Sequence, residues 1–261
     1  MPSFPLIKDL PLVIGTNGWQ WEKFLTPGPP QNDFWLGTDK EGNKWLTKLR
    51  SDFYAYREIV FARIAQKMGW SCQSSTFIQL DIESAKELGS HDSRIHAAHW
   101  FMEEHQPQPC SIDCAIHDLI DRHAHSINEL HDVEVTHILD WPKSEFAACL
   151  FGANEPPGKL ITVNHEFVII DSEQMFSTEP CPLDGTVWWN LPDGSPSPAG
   201  RALALEVCRE LNGLTSSDIE DALSIPASIT VQQRWPIAPI LHRSHEFAAQ
   251  LITSHSSPFS T

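Results

Sequence analysis

Positive charge is what this chain has least of. It carries 18 Lys plus Arg against 34 Asp plus Glu, a net charge of −16. Such a surface repels phosphate backbones, which excludes nucleic-acid binding as the main function. It favours basic partners, although acidity of this kind most often serves solubility alone. Long apolar runs are also missing. None approaches the roughly 20 residues needed to cross a bilayer, so no membrane span is expected. The opening stretch MPSFPLIKDLPLVIG lacks a basic leader followed by an uninterrupted apolar core, and no secretion signal is expected. Cysteine is sparse and scattered, at positions 72, 110, 114, 149, 181 and 208. That is no disulfide framework, and reduced thiols in a cytoplasm are the simplest expectation. There is no internal repeat and no heptad pattern.

What is present suits a globular fold. The chain has 261 residues, 41% of them hydrophobic and 20% charged, with ten Trp and 13 Phe for a core and a ring-lined pocket. Loop punctuation divides it. After the loop at 25–33, Phe34 to Gly37 and Asn43 to Leu49 read as strands around the turn DKEG, a hairpin signature. Phe53 to Met68 reads as a helix, capped by Ser51 or Asp52 and stopped at Gly69. Ser75 to Leu80 and Ala97 to Met102 read as strands. The polar Glu103-Glu104-His105 and the following QPQP mark a hinge, which sets a boundary near residue 105. Residues 1–105 then form a β-rich lobe and 106–261 a larger, mainly helical one.

In the second lobe the expected helices are Ile112 to Leu130, Lys143 to Phe151, Arg201 to Leu211, Ser217 to Leu223 and Arg243 to Ile252. Thr178 to Gly200, rich in Pro, Gly and Asp, reads as a long loop. Lys159 to Phe176 reads as two short strands around Asn164-His165-Glu166. The fold class is α+β in two unequal lobes.

Chemistry concentrates in few places. Asp171 follows the apolar run Phe167-Val168-Ile169-Ile170. A carboxylate at the end of a buried strand needs a cation beside it. In phosphoryl-transfer enzymes that cation is usually a metal ion on nucleotide phosphates. Lys48 lies in the strand 43–49, sharing a face with Lys44 and Leu46, its stem packed and its ammonium reaching outward. Glu58 falls within about 60° of Phe61, Ala62 and Ala65 around the helix axis, so it lies on the inward stripe. A carboxylate there needs a partner, and Lys48 is one strand away. Taken singly, Lys48 reads as a solvated edge charge, Glu58 as a structural ion pair and Asp171 as a turn cap. The order of strand Lys, helix Glu, hinge, loop and hairpin Asp is more specific than any member.

Other motifs carry less. Cys110, Cys114 and His117 share one helical face, as half a zinc site would, but no second ligand pair follows, and buried helix cysteines are expected. His91, His96 and His99, or His117, His123 and His125, do not give ligand spacing and read as surface or core histidines. Gly15-Thr-Asn-Gly18 reads as an ordinary turn rather than a phosphate cover.

The pieces NKWLTKL, YREIVFARIAQKMGWSCQSSTF and FVIIDSEQMF resemble the HipA-like kinases, a family related to the phosphatidylinositol 3/4-kinase-like branch of the protein-kinase-like fold. Arg63-Ile-Ala-Gln-Lys-Met-Gly69 is similar to the family's "LA-x-x-LG" helix end, Phe167 to Phe176 to its "hIDH-x-x-hF" metal segment, and Ile225-Pro226 to its C-terminal part. The resemblance spans residues 34 to 250 with long unmatched gaps. It implies a two-lobed protein-kinase-like fold that uses ATP and magnesium and phosphorylates a protein Ser or Thr hydroxyl. By the same resemblance, Lys48 would contact nucleotide phosphates, Glu58 would pair with Lys48, Asp171 would bind Mg²⁺, and the backbone at Glu103 and Glu104 would face adenine.

One segment departs from the family. Its catalytic loop resembles "N-x-D-R-x-x-x-N", with a base Asp and a metal-binding Asn. Phe151 to Lys159 here, FGANEPPGK, has no Asp. Asn154 or Glu155 takes the base position, and Lys159 stands where the Asn would be. A Lys close to Asp171 would neutralise part of a metal site. An active kinase and a pseudokinase that binds nucleotide or a regulatory protein partner are therefore both open. Small-molecule phosphotransfer on the same fold class is a third, more distant reading.

Overall fold

Helix α1 (Asp52–Lys67) is buried almost all the way round, and the fold is built about it. It follows the extended Ser51, carries Asp52 in its first turn, and ends where Gly69 adopts a φ of +84°. There the amides of Gly69 and Trp70 return to the carbonyls of Gln66 and Ala65, a glycine-terminated helix end. A helix that buries residues on every side, Arg57, Glu58 and Arg63 among them, must be covered on every side. The computed structural model, which describes residues 10–24, 34–90, 95–101, 134–162, 165–178, 198–225, 227 and 237–256, identifies the covers.

One cover is a six-stranded sheet in the order β1-β5-β6-β4-β3-β2. Its strands are β1 (Val13–Gly15), β2 (Gln20–Lys23), β3 (Phe34–Thr38), β4 (Lys44–Lys48), β5 (Ser75–Gln79) and β6 (Ile95–Phe101). Only the β1–β5 pair is parallel. The register aligns Phe34 with Lys48, Leu36 with Leu46, Leu46 with His99, and Phe77 with Ala97. Alternation therefore puts Phe34, Leu46, Lys48, Ala97, His99 and Phe77 on one face, the face that meets α1. The other face holds Trp19, Trp45, Ile78 and Ala98. Gly37 is required there, because a Cβ would stand 2.6 Å from the Trp19 ring.

The short helix α2 (Ile82–Leu88) joins β5 to β6. Asp81 caps it by accepting from the Ser84 amide at 2.8 Å. After the sheet come α3 (Asp140–Leu150), the hairpin β7 (Gly158–Ile161) and β8 (Phe167–Ile170), then α4 (Pro198–Asn212), α5 (Ser216–Leu223) and α6 (Ile237–Ser256). A β-sheet first part and a helical second part give the α+β class read from the sequence.

Two latches tie the parts together. The Ile169 amide donates to the Ser71 carbonyl at 2.9 Å, and the Gln73 amide donates to the Ile169 carbonyl at 3.0 Å. Strand β8 is thus bonded to the segment leaving α1. On the opposite side, the Tyr56 hydroxyl donates to the Leu223 carbonyl at 2.9 Å, and Arg63 donates to the carbonyls of Ala222 and Ser224 at 3.2 and 2.8 Å. The guanidinium caps the C-terminus of α5, where helix carbonyls lack partners.

Several boundaries differ from expectation. Strands β1 and β2 and helix α2 are additional. Gly15 to Gly18 does form a turn, in which the Trp19 amide donates to the Thr16 carbonyl at 2.9 Å. Helix α4 starts at Pro198, inside the expected loop, and α6 starts at Ile237 despite Pro239. Both prolines lie in a first turn, where a missing amide costs no bond. The hinge, the boundary near residue 105, the helix 112–130, His91, and the Cys110-Cys114-His117 face with His123 and His125 lie outside the described residues.

Candidate active site

Lys48, Glu58 and Asp171, 123 residues apart along the chain at the extremes, come together. Lys48 projects from β4 toward α1. Its ammonium hydrogen-bonds Asp171 Oδ1 and lies 3.5 Å from Glu58 Oε1 and 3.9 Å from Glu173 Oε2. The expectation of an ammonium reaching outward is corrected: Lys48 is 6% exposed and turned into the cluster, with the Phe34 ring 5.7 Å away. Three carboxylates on the α1 side outcompete water for it. Asp171 reaches the cluster because β8 is bonded to the segment after α1. Its backbone is left-handed, φ +49°, which Asp tolerates better than most residues. Gly158 lies against it, where a Cβ would be 2.9 Å from that of Asp171.

Burial differs across the cluster and separates roles. Glu58 and His99 are 3% and 1% exposed, whereas the Asp171 side chain is 43% exposed. The cluster therefore has a closed inner end and an open mouth. Burial would push the Glu58 carboxyl up, but His99 and Lys48 outweigh it and hold the group at about 2. Burial works against the Lys48 ammonium too, and Glu58 and Asp171 more than offset it, so the group titrates above the usual lysine range. For Glu173 burial prevails and the carboxyl is raised, despite Lys48 and the Arg50 Nε that donates to it at 3.2 Å.

The divergent loop behaves differently. Asn154 and Glu155 are exposed, and neither bonds Lys48, Glu58 or Asp171. Lys159 does not neutralise Asp171, and that expectation is corrected. Its register partner is Ile169, and its ammonium pairs with Glu145 on α3, 4.7 Å over the Trp141 ring. Strand alternation sends it to the α3 side of the hairpin. Glu103 and Glu104 lie outside the described residues.

Sequence reasoning missed three members. Glu173 and Arg50 stood two residues from identified positions. His99 was set aside among the histidines, although its two-residue spacing from Ala97 signals an inward strand position.

Among the described residues, no group of three or more His, Cys, Asp or Glu is arranged to hold a metal ion, and no helix is long and apolar enough to cross a membrane. The oxygen donors nearest the mouth are those of Asp171 and Glu173. One or two carboxylates completed by substrate phosphates are what Mg²⁺ takes in nucleotide sites, so the donor set fits that ion. A separate cavity of about 490 Å³, lined by Leu214, Ile219, Leu223, Leu241 and His245 among others, lies between α5 and α6 and shares no residue with the cluster.

The arrangement is a buried lysine shared between a helix glutamate and a hairpin aspartate, on an α+β scaffold. No family model and no curated protein sequence matches the chain. Among solved structures it is similar to a Helicobacter pylori proinflammatory kinase, CtkA, at 10% identity and a TM-score of 0.48, over 91% of this chain and 99% of that one.

Proposed function

We propose that this protein is a HipA-like kinase, of two-lobed protein-kinase-like fold, that binds ATP with magnesium and transfers a phosphoryl group to a protein Ser or Thr hydroxyl. One observation carries the reading: the Lys48 ammonium is held between Glu58 of α1 and Asp171 at the hairpin end. Phosphoryl transfer is catalysed chiefly by positioning and by charge stabilisation. Lys48 supplies the phosphate-binding cation, and Glu58 orients it. Asp171 and Glu173 would hold the magnesium ion, which supplies charge neutralisation on the phosphate oxygens. Lys48 also neutralises Asp171 itself. Nucleotide binding would draw the ammonium onto phosphate and free the carboxylate at the mouth.

The test is thermal unfolding with ATP, with and without Mg²⁺, on wild type, Lys48→Met and Asp171→Asn, since a ligand of the folded state alone raises the midpoint. A rise of several degrees is expected in wild type. It should be absent in Lys48→Met and magnesium-independent in Asp171→Asn. Equal shifts in all three would overturn the reading.

A second reading has its own support. Asn154 and Glu155 are exposed, and no hydrogen bond or ion pair joins them to Lys48, Glu58 or Asp171, which favours a pseudokinase that binds nucleotide or a protein partner without turnover. Labelled γ-phosphate separates the two. Incorporation that falls in Glu155→Gln supports transfer with Glu155 as base. Binding without incorporation into protein, lipid or water supports the pseudokinase.

A further inference from the structure

Glu58 Oε1 and His99 Nε2 are both buried, both lack a well-formed hydrogen bond, and face each other at 3.4 Å. His99 stands on β6, on the α1 face of the sheet, next to Leu46 of β4 and Ser75 of β5 in register. Its other nitrogen, Nδ1, is 2.7 Å from the Ser75 hydroxyl, which also lies 3.2 Å from the Gln73 carbonyl.

The single hydroxyl hydrogen limits the possibilities. If Ser75 donates to His99 Nδ1, the ring proton is on Nε2, the nitrogen 3.4 Å from Glu58 Oε1. If Ser75 donates to Gln73, then Nδ1 must donate to Ser75. A neutral ring would in that case aim the bare Nε2 lone pair at a buried carboxylate, which is repulsive. Only a doubly protonated ring avoids this. Every favourable arrangement therefore presents an Nε2–H to Glu58.

We propose that His99 is a positioning residue of the candidate nucleotide site: it is the second, permanent partner of Glu58, holding that carboxylate in place when Lys48 moves to phosphate. The need is physical. Glu58 is 3% exposed, and a buried carboxylate stripped of its cation reorients or takes up a proton. Lys48 has alternative partners at the mouth, in Asp171 and Glu173, whereas His99 has none there among the described residues. A fixed inner donor lets Glu58 aim Lys48 without depending on it. The nucleotide role rests on the kinase reading above; the His99–Glu58 contact stands apart from it.

Two measurements test the proposal and separate it from that reading. Long-range proton–nitrogen spectra of ¹⁵N-histidine protein, without nucleotide, read the ring directly. The His99 Nε2 signal is expected in the protonated range and should move in Glu58→Gln. A bare Nε2, or no response to Glu58→Gln, overturns the proposal whether or not ATP binds. ATP titration is the second measurement. His99→Phe should weaken binding about tenfold, the usual loss of one hydrogen bond to a charged group. His99→Gln, which keeps an N–H at the Nε2 position, should stay within about threefold of wild type. If Phe and Gln lose affinity equally, or Phe loses none, His99 only fills space. If wild type binds no ATP, the kinase reading fails, and the spectra alone decide the His99–Glu58 contact.

Discussion

Two buried lysines teach more by their difference than either does alone. Lys143 of α3 is 7% exposed and lies 2.8 Å from Glu206 and 2.7 Å from Glu210 of α4. Glu210 uses its other oxygen to accept from the Trp70 indole at 2.7 Å. Lys48 is equally buried, but Glu58 and Glu173 stand at 3.5 and 3.9 Å, and Glu58 Oε1 and His99 Nε2 are left unsatisfied. The first network is closed and joins helices. The second keeps capacity in reserve and opens at Asp171. Buried polar groups that are incompletely satisfied are costly, and they persist where a further partner is to be met.

The largest expected effect breaks this comparison at its lysines. Lys48→Met leaves Glu58 with one partner and Glu173 with Arg50, and should cost on the order of 3 kcal/mol. Lys143→Met should cost about 1 kcal/mol, because Glu206 is half exposed and relaxes into water while Glu210 keeps Trp70. Urea unfolding of the two variants measures the gap. A larger loss for Lys143→Met would mean that the reserve lies in the helical network and not at Lys48.

Acid sharpens the same comparison. The folded Glu58 carboxyl titrates at about 2, below its ordinary value of 4.5. Its stabilising contribution is therefore complete above the ordinary glutamate range and fades as pH falls toward 2. Glu173 has the opposite sign, since a raised carboxyl favours the folded state as pH falls through it. Glu58→Gln should be less stable than wild type by on the order of 2 kcal/mol at neutral pH. That difference should shrink on acidification from about pH 5 to about pH 2. Carboxylates outside the cluster titrate in both proteins and cancel, while Glu173 loses the part of its upward shift that Glu58 supplies. A difference that does not vary with pH would mean that Glu58 is not held ionised by its neighbours.

Gly158→Ala probes the mouth. The added methyl would meet the Asp171 Cβ at 2.9 Å and Ile170 Cγ1 at 3.2 Å. A strand residue cannot yield as a flexible tip would. About 1–2 kcal/mol of stability should be lost, together with a severalfold weaker ATP response as Asp171 is pushed from Lys48. Stability lost without any change in that response would detach Asp171 from the site.

These effects also explain what the sequence could and could not convey. The hairpin β3–β4, helix α1 and strands β5 and β8 were legible because their signals are local: a DKEG turn, a glycine after a helix, an apolar run ending in Asp171. Glu58 was legible from helical periodicity. The aim of Lys48 was not, because alternation gives a face but not what covers it. Lys159 was misplaced for the same reason, since only the α3 neighbour Glu145 decides where it goes. His99 and Ser75 meet through register between β5 and β6, information that no single segment holds. Strands β1 and β2 are short, and pair at opposite edges of the sheet, where only tertiary context selects them.

The smallest effect asks how far the site depends on its distant support. Thr215 and Asp218 form a capping box at the start of α5, with the Asp218 amide donating to Thr215 Oγ1 at 3.1 Å and the Thr215 amide donating to Asp218 Oδ2 at 2.9 Å. Helix α5 leans on α1 through Tyr56 and Arg63, on the side away from Lys48. Thr215→Ala should lose about 1 kcal/mol. Loss of the cap loosens the first turn of α5, which meets α1 at its far end, where Lys67 pairs with Asp218 at 2.9 Å, whereas Tyr56 and Arg63 grip the last turn. Glu58 is also held from its own side, by His99 and by Ser172, whose hydroxyl lies 3.5 Å from the Glu58 carbonyl. ATP affinity should therefore match wild type. A weakened affinity in Thr215→Ala, measured by the same titration, would place the control of Glu58 in α5 and not in β6, and the contrast between a closed structural network and an open site would no longer divide the molecule.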